Sequence, residues 1–324
     1  ALVTYLVAMW GVLAASQGSW DSSDFAYGLG SVRALDRLLA DYARYEKPAE
    51  TVAATRPQLP PAPPTLHFEQ LTFTYPGASR PTLDGLDLKL GPGEVLAIVG
   101  RNGSGKTTLM KLLAGLYRPT AGRVLVDGVA LAEHTPAQLT AWRRRLAVVF
   151  QDFVRYPVSV ADNIGLAAPE HLADTEAVAA MAARSGLLEH LGNLPEGLGT
   201  SLAHGSAGAV DLSGGQWQRL AIARAMFAVG CGRQVLVLDE PTAHLDVRAE
   251  AAFYDQIVRD IAGVSIVLIS HRLSTVRHAD RIVLLQDGRI TESGSHAELI
   301  ARGGEYARLF ELQAARFADV AEDA

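Results

Sequence analysis

The stretch GRNGSGKTTLMKLLAGLY, from Gly100 to Tyr117, places glycines around a lysine and continues directly into a leucine-rich pattern. The residues before it, EVLAIV, form a short apolar run typical of a buried strand. After it, leucines recur at intervals of three and four residues, which predicts a helix with one apolar face. These leucines are Leu109, Leu112, Leu113 and Leu116. The sequence therefore predicts a strand, a glycine-rich turn and a helix, as in an α/β sheet.

The glycine-rich turn has the composition of a phosphate-binding loop. Gly100, Gly103 and Gly105 can adopt backbone conformations closed to other residues, and the N-terminus of the next helix adds the positive end of its dipole. Lys106 would supply a point charge for the β- and γ-phosphates, and the hydroxyl of Thr107 is placed to ligate Mg²⁺. The pattern G-x-x-x-x-G-K-[ST] thus predicts a nucleoside triphosphate site.

A second acidic element follows a later apolar run. The sequence VLVLDE, starting at Val235, ends in two carboxylates, which is costly for a buried strand unless a cation receives them. We therefore interpret Asp239 as a ligand of Mg²⁺ and Glu240 as the group that orients and polarises the attacking water. A further apolar run, VSIVLIS, is followed directly by His271, whose neutral imidazole could bridge the γ-phosphate, the water and Glu240.

The composition is that of a folded protein with a substantial core. Its 324 residues are 49 % hydrophobic and 20 % charged, and the length is enough for about two domains. The formal charge of −6 gives no overall attraction for nucleic acid, and the basic run from Arg143 to Arg145 is short. The single cysteine, Cys231, excludes an internal disulfide framework and fits a reducing compartment.

The N-terminal part has a different character. Residues 1–16, ALVTYLVAMWGVLAAS, carry no charged side chain, and as a helix they would span roughly 24 Å of a hydrocarbon core about 30 Å thick. A core helix, a signal peptide and a truncated membrane helix are the alternatives, and the last is favoured if residues upstream are missing. Because the chain begins with Ala1 and not Met, we expect a fragment or processed form of a longer polypeptide.

A proline-rich run separates this segment from the remainder. The sequence RPQLPPAPP, residues 56–64, contains five prolines, which favour an extended linker and a domain boundary. Beyond it, LHFEQLTFTY and LDLKL alternate in the period of a strand, with Leu86, Leu88 and Leu90 on one face. The sequence RVLVDGVAL predicts a hairpin that turns at Asp127–Gly128.

The run LSGGQWQR, from Leu212 to Arg219, indicates which class of nucleoside triphosphatase the sequence belongs to. Two glycines after a serine open a helical pattern, so the start of this helix is a second anion-binding end. With this motif the sequence resembles the ATPase domain of ABC transporters, in which LSGGQ is the signature motif and completes the ATP site of the partner subunit. The resemblance covers Thr65 to about Gln313, and the separate motifs agree in order.

The resemblance implies a fold and a domain organisation. We expect an α/β fold: a P-loop NTPase core with an antiparallel β subdomain and a helical insertion subdomain at about residues 152–225, preceded by a short apolar helical segment. Residues 1–55 would be a partial membrane-domain segment with a connecting helix, and residues 56–64 the linker. Residues 65–324 would form the ABC ATPase domain.

The resemblance also assigns roles to individual residues. It implies that Tyr75 in FTYPG stacks on adenine, and that Gln151 in VVFQD contacts Mg²⁺ and the attacking water while sensing the membrane domain. Asp246 in AHLD would be the aspartate that reaches across the dimer, and His271 the switch histidine. The residues implied to contact ATP are Tyr75, Gly100, Asn102, Gly103, Ser104, Gly105, Lys106, Thr107, Thr108, Ser213, Gly214, Gly215, Gln216 and Asp246. The implied catalytic set is Glu240, His271 and Gln151, and the implied metal ligands are Thr107, Gln151 and Asp239.

The chain departs from the family pattern in three places. Before the signature motif it has TSLAHGSAGAVD where exporters usually carry an acidic T-E-x-G-E-R-G element, which bears on contact with the coupling helices of the membrane domain. His244 stands where a small residue is usual, and it would crowd the dimer interface or add a bond there. No run of about 20 apolar residues precedes the linker, so the membrane half is absent, cut short or divergent.

Two functions follow from these motifs. The first is the ATP-binding and ATP-hydrolysing subunit of an exporter-type ABC transporter, which couples ATP-driven head-to-tail dimerisation and hydrolysis to substrate movement across a membrane. It implies ATP and Mg²⁺ as cofactors, a second ABC ATPase domain and a transmembrane domain as partners, and a place on the cytoplasmic face of the plasma membrane.

The alternative is a soluble ABC-type ATPase acting on nucleic acid or protein complexes. Such proteins usually carry tandem cassettes or long coiled-coil insertions, whereas this chain has one cassette and no heptad run, so no nucleic-acid partner is expected.

Overall fold

The computed structural model describes residues 62–191, 194–203, 208–240, 261, 263–271 and 273–322. Contacts between residues divide the chain into Ala1–Gln58 and Leu59–Ala324, and the elements below belong to the second unit. The predictions for residues 1–61, for His244 and for Asp246 lie outside the described residues.

Strands come first along the described chain, and helices and strands then alternate. The strands are β1 (Leu66–Phe73), β2 (Leu83–Leu90), β3 (Val95–Val99), β4 (Ala121–Val126), β5 (Val129–Ala130), β6 (Leu146–Val149), β7 (Val235–Asp239), β8 (Ser265–Ile269), β9 (Arg281–Gln286) and β10 (Arg289–Gly294). The α-helices are α1 (Lys106–Leu113), α2 (Pro136–Arg143), α3 (Val160–Gly165), α4 (Thr175–Arg184), α5 (Leu187–Leu191), α6 (Gly214–Gly230), α7 (Leu273–Val276), α8 (His296–Arg302) and α9 (Glu305–Glu322). Within the described ranges, none of these helices has both the length and the apolar character needed to cross a membrane.

The smaller sheet is antiparallel and has the strand order β2-β1-β4-β5. Leu86, Leu88 and Leu90 of β2 lie on one face and are buried, which confirms the predicted alternation. The predicted hairpin is formed by β4 and β5. Its turn residues Asp127 and Gly128 have φ values of 51° and 83°, and positive φ at both positions gives the turn a twist that matches the paired strands.

The larger sheet has the order β10-β9-β3-β8-β7-β6. Strands β9, β3, β8, β7 and β6 run parallel to one another, and β10 pairs with β9 in the antiparallel sense. The carboxyl ends of β3, β8 and β7 meet at one edge, where Ile269 pairs with Ile98 on one side and with Asp239 on the other. The phosphate loop, His271 and Glu240 follow these strand ends, so the topology brings them to the same edge.

The central strands of the larger sheet are buried on both faces, as parallel strands between two layers usually are. In β3, Leu96 and Ile98 pack into a core shared with the smaller sheet and α1. Ala97 and Val99 face the opposite way, into a core shared with α6 and α9. A third core joins α3, α4 and α6 around Trp217. An antiparallel part, a central α/β part and a helical part are therefore present, which confirms the predicted fold class.

Helix α1 is shorter than the leucine pattern predicts. Leu109 is buried as expected, but the helix ends at Leu113, and Leu116 is 52 % exposed. Gly115 has a φ of 64°, and the N–H of Leu116 donates to the carbonyl oxygen of Lys111 at 2.9 Å. This turn is a common way for a helix to end at glycine. The prediction that Leu116 lies on the buried face was therefore wrong.

Candidate functional site

The loop between β3 and α1 requires glycine at two points. A Cβ atom on Gly100 would collide with the carbonyl oxygen of Leu285 on the neighbouring strand β9. Gly105 has a φ of 106°, and a Cβ atom there would lie 2.7 Å from Leu83 Cδ2 and 2.9 Å from the carbonyl oxygen of Thr82. The loop is therefore held between the two sheets in a conformation that side chains would distort.

The N-terminus of α1 is open to a ligand. Gly105 is its N-cap, and because glycine has no side chain to accept hydrogen bonds, the first backbone N–H groups of the helix keep their donors for another partner. The Oγ atom of Ser104 is buried and has no hydrogen-bond partner within the described part of the chain. Together with the positive helix end, these donors favour an anion in the loop.

Lys106 points back into the loop. The residue is only 6 % exposed, and its Nζ donates to the carbonyl oxygens of Gly100 at 2.9 Å and Arg101 at 3.0 Å. Burial lowers the pKa of Lys106 from its ordinary value, and the negative charges of Glu240 and Asp239 oppose that shift. A desolvated ammonium bonded to neutral carbonyls would be stabilised by further negative charge, such as a phosphate.

Asp239 and Thr107 form a pair of oxygen ligands at the end of β7. Thr107 Oγ1 donates to Asp239 Oδ2 at 2.7 Å, and Asp239 is 1 % exposed. Burial raises the pKa of the Asp239 carboxyl from its ordinary value, while the hydrogen bond from Thr107 opposes the shift. A buried carboxylate beside a hydroxyl is an oxygen donor set that fits Mg²⁺, and a cation there would offset the desolvation of the carboxylate.

Glu240 is held in an unusual backbone conformation next to His271. Its φ of 48° lies in the left-handed region, which is strained for a residue with a side chain, and its N–H donates to the carbonyl oxygen of Ile269 at 3.0 Å. Glu240 Oε2 lies 3.3 Å from His271 Nδ1, and the two side chains are 13 % and 49 % exposed. The hydrogen bond from His271 lowers the pKa of the Glu240 carboxyl. Glu240 is therefore ionised at neutral pH, as a group that polarises water must be.

A cavity of about 450 Å³ lies over the loop. The residues that line it are Tyr75, Thr82, Asn102, Gly103, Gly105, Lys106, Thr107, Thr108, Gln151 and Glu240. The structure thus brings together residues that the sequence places in separate motifs. Thr82 was missed by the sequence analysis because no motif marks it. Its position directly before β2, beside Gly105, becomes evident only in the folded chain.

Tyr75 belongs to a small aromatic cluster at this cavity. Its hydroxyl lies 3.1 Å from Thr108 Oγ1, and its ring meets those of Phe73 and Tyr117 edge to face, with centroid distances of 4.9 Å and 5.7 Å. The residue is half-buried. The cluster fixes the ring while leaving part of its surface available, so the position is suited to stacking on a planar ligand.

Gln151 lines the cavity, and the segment that follows it is tied to the helical part of the chain. Arg224 of α6 donates to Asn163 Oδ1 at 2.8 Å and to the carbonyl oxygen of Val154 at 3.1 Å. Its guanidinium also lies 4.7 Å from the ring centroid of Tyr156. Burial lowers the pKa of Arg224 from its ordinary value. One side chain of α6 therefore links the segment after Gln151 to α3.

The signature residues lie at the start of α6 and outside the cavity. Ser213 is the N-cap and forms a capping box with Gln216: the N–H of Gln216 donates to Ser213 Oγ at 3.3 Å, and the N–H of Ser213 donates to Gln216 Oε1 at 2.8 Å. Gly214 and Gly215 form the first turn of the helix. Of the described residues that line the cavity, none comes from this motif. Within one chain, the structure does not bring the signature motif to the phosphate loop.

Comparisons with known proteins agree on one family. The ABC transporter family model matches residues 83–243. An ATP-dependent lipid A-core flippase of Chromobacterium violaceum is 36 % identical over 312 residues, which is 96 % of this chain and 50 % of that protein. A second protein of this name, from Chromohalobacter salexigens, is 43 % identical over 248 residues, covering 76 % of this chain and 41 % of that protein.

The fold comparison points the same way. The structure of a bacterial Atm1-family ABC exporter with ATP bound is similar with a TM-score of 0.70 and 31 % sequence identity, covering 97 % of this chain and 56 % of that one. The chain spans about half the length of the curated relatives it matches.

Proposed function

The chain belongs to the ABC transporter family, and from that premise we propose that it is the ATP-binding and ATP-hydrolysing part of an exporter-type transporter. One observation carries the proposal: the cavity collects Lys106, Thr107, Gln151 and Glu240 beside an open helix N-terminus. Mg-ATP is a ligand that fits these groups together: the phosphates complement Lys106 and the helix end, the cation complements Thr107 and Gln151, and Glu240 is left to bind the attacking water.

Binding would rest on the loop from Gly100 to Thr108. Its backbone N–H groups and the ammonium of Lys106 would hold the phosphates, and Tyr75 would stack on the adenine ring. Thr107, Asp239 and Gln151 are the proposed ligands of Mg²⁺. When bound, Mg²⁺ would neutralise part of the charge on the phosphate oxygens.

Hydrolysis would rest on Glu240 and His271. The Glu240 carboxylate is ionised and its backbone is bonded to Ile269, so it could accept a hydrogen bond from the attacking water and orient it in line with the γ-phosphate. The imidazole of His271, 3.3 Å from this carboxylate, would contact the γ-phosphate and hold the carboxylate in place.

A second ABC ATPase domain would complete the site. Ser213, Gly214, Gly215 and Gln216 lie away from the cavity of their own chain, so we assign them to the γ-phosphate of a partner chain bound head to tail. Asp246, outside the described residues, is assigned to the same interface. The partner is either a second copy or a related chain.

The cycle would be coupled to movement of a substrate across a membrane. The names of the relatives, flippases and an exporter, support a transmembrane domain as the other partner. We place the ATPase domain on the cytoplasmic face of the plasma membrane, where ATP is available. The same names favour this function over that of a soluble ABC-type ATPase.

The proposal is tested by removing the charge in the loop. Lys106→Ala should weaken ATP binding about a hundredfold, because a charge-assisted hydrogen bond to phosphate is lost. Lys89→Ala is the matched control, since Lys89 is an exposed lysine on β2. Calorimetric titration of the full chain with Mg-ATP measures both. Wild-type ATP affinity in a folded Lys106→Ala variant would contradict the proposed site.

A further inference from the structure

The C-terminal helix α9 is firmly anchored at its start. The carboxylate of Glu292 on β10 accepts from the backbone N–H of Glu305 at 2.6 Å and from that of Tyr306 at 3.3 Å. Tyr306 is fully buried, and its hydroxyl lies 2.9 Å from His296 Nδ1. Phe310 packs against the same core one turn later. The first turns of α9 therefore form a rigid base for the residues that follow.

Gln313, further along α9, makes two hydrogen bonds to the backbone beside the switch histidine. Its Nε2 donates to the carbonyl oxygen of His271 at 2.6 Å, and its Oε1 accepts from the N–H of Leu273 at 2.9 Å. The side chain therefore bridges the backbone of His271 and Leu273. A carboxamide carries both N–H donors and an acceptor oxygen, so it can bond to a C=O and to an N–H at the same time.

The position of the His271 ring depends on this backbone. The side chain is 49 % exposed, so packing alone does not orient the ring. Its Nδ1 lies 3.3 Å from Glu240 Oε2. Leu273, on the other side of residue 272, is buried in the core. The buried Leu273 and the two hydrogen bonds with Gln313 therefore help to fix the backbone that carries the imidazole.

We propose that Gln313 is a positioning residue for the hydrolysis step, holding the backbone of His271 and Leu273 so that the His271 imidazole stays against Glu240. The inference rests on the proposed ATPase function and deepens it. Gln313 does not line the cavity and acts through His271. A displacement of the imidazole by about 1 Å is enough to slow a reaction on the order of a hundredfold.

The first test separates turnover from binding and stability. Gln313→Met keeps the length of the side chain but removes both hydrogen bonds. It should lower kcat about tenfold while the affinity for ATP stays near that of the wild type, and the loss of two hydrogen bonds should lower Tm by only a few degrees. Gln313→Glu keeps an acceptor for the Leu273 N–H but sets a carboxylate oxygen against the carbonyl oxygen of His271, so its kcat should also fall below that of the wild type. Glu311→Ala is the control on the same helix, because Glu311 is exposed.

The second test is a double-mutant cycle with His271→Ala, using phosphate release by the full chain with Mg-ATP. Gln313→Met should cause no further loss of kcat when His271 is already alanine, because Gln313 acts through that ring. Additive losses would overturn the inference, as would parallel falls in kcat, ATP affinity and Tm. Wild-type kcat in Gln313→Met would overturn this inference alone. Absence of hydrolysis by the unmodified chain would contradict the proposed function itself.

Discussion

The Asp239→Asn variant should be more stable than the wild type when no nucleotide or metal is bound. Asp239 is 1 % exposed, and burial raises the pKa of its carboxyl. Asparagine has nearly the same shape, and its Oδ1 can still accept from Thr107 Oγ1, which is 2.7 Å from the Asp239 carboxylate. The substitution therefore removes a desolvated charge and keeps the hydrogen bond.

The size of the effect follows from the desolvation of one carboxylate that keeps a hydrogen bond. An unpaired buried charge costs several kcal/mol, and the bond from Thr107 offsets part of this, so we expect the free energy of unfolding to rise by about 2 kcal/mol. In a domain of this size such a change raises Tm by about 4–8 °C. Glu311→Gln, an acid-to-amide change at an exposed position within α9, should leave Tm within about 1 °C.

The pH dependence gives the sign of the charge effect. The pKa of Asp239 is higher in the folded chain than in the unfolded chain. The ionised carboxylate therefore destabilises the folded wild type, and this effect is complete at pH values above the folded pKa. That destabilisation disappears as pH falls to the ordinary value of about 3.9. The advantage of Asp239→Asn should thus be largest at neutral pH and vanish near pH 4.

The assay is thermal unfolding in EDTA from pH 4 to pH 8, followed by titration with ATP with and without Mg²⁺. The variant should bind ATP without the gain that Mg²⁺ gives the wild type, since one proposed ligand of the metal is lost. A Tm in EDTA at pH 7 below that of the wild type would refute the reasoning, because it would mean that the chain itself compensates the buried charge.

Two further predictions concern side chains around the loop. Tyr75→Ala should weaken binding of ATP and GTP alike by about tenfold, because stacking uses any purine face. Tyr75→Phe keeps the ring and should lose little affinity for either nucleotide. Unequal losses of affinity in fluorescence titrations with the two nucleotides would argue against stacking. Arg224→Ala should lower the free energy of unfolding by about 2–3 kcal/mol, because it leaves Asn163 and the Val154 carbonyl without their shared donor. Urea denaturation measures this loss, and wild-type stability would contradict the proposed link between α6 and the segment after Gln151.

Local patterns in the sequence were enough to predict the central unit of the fold. β3, the glycine-rich loop and α1 follow one another along the chain, and each has a pattern that depends on nearby residues alone. The hairpin at Asp127–Gly128 was predictable for the same reason. The end of α1 was not predicted at Leu113, because the leucine period continues to Leu116 past the turn at Gly115.

Features of the site that depend on tertiary contacts could not be predicted. Thr82 reaches the loop because the start of β2 packs against Gly105, and no spacing in the sequence records that contact. The left-handed φ of Glu240 is fixed by the carbonyl of Ile269 on β8. Gln313 lies at the end of the stretch that resembles the family, but its hydrogen bonds to residues 271 and 273 became evident only in the folded chain.

The central claim, that ATP is hydrolysed in a site shared by two chains, is tested most directly by light scattering of the Glu240→Gln variant. Glutamine keeps the shape of the side chain but cannot polarise water as a carboxylate does, so ATP should bind and remain uncleaved. We predict that the full chain with this substitution forms a dimer in Mg-ATP, stays monomeric in Mg-ADP, and loses the dimer when Ser213→Arg blocks the signature motif. Tight binding of ATP by a variant that remains monomeric, or full hydrolysis by Glu240→Gln, would contradict the account.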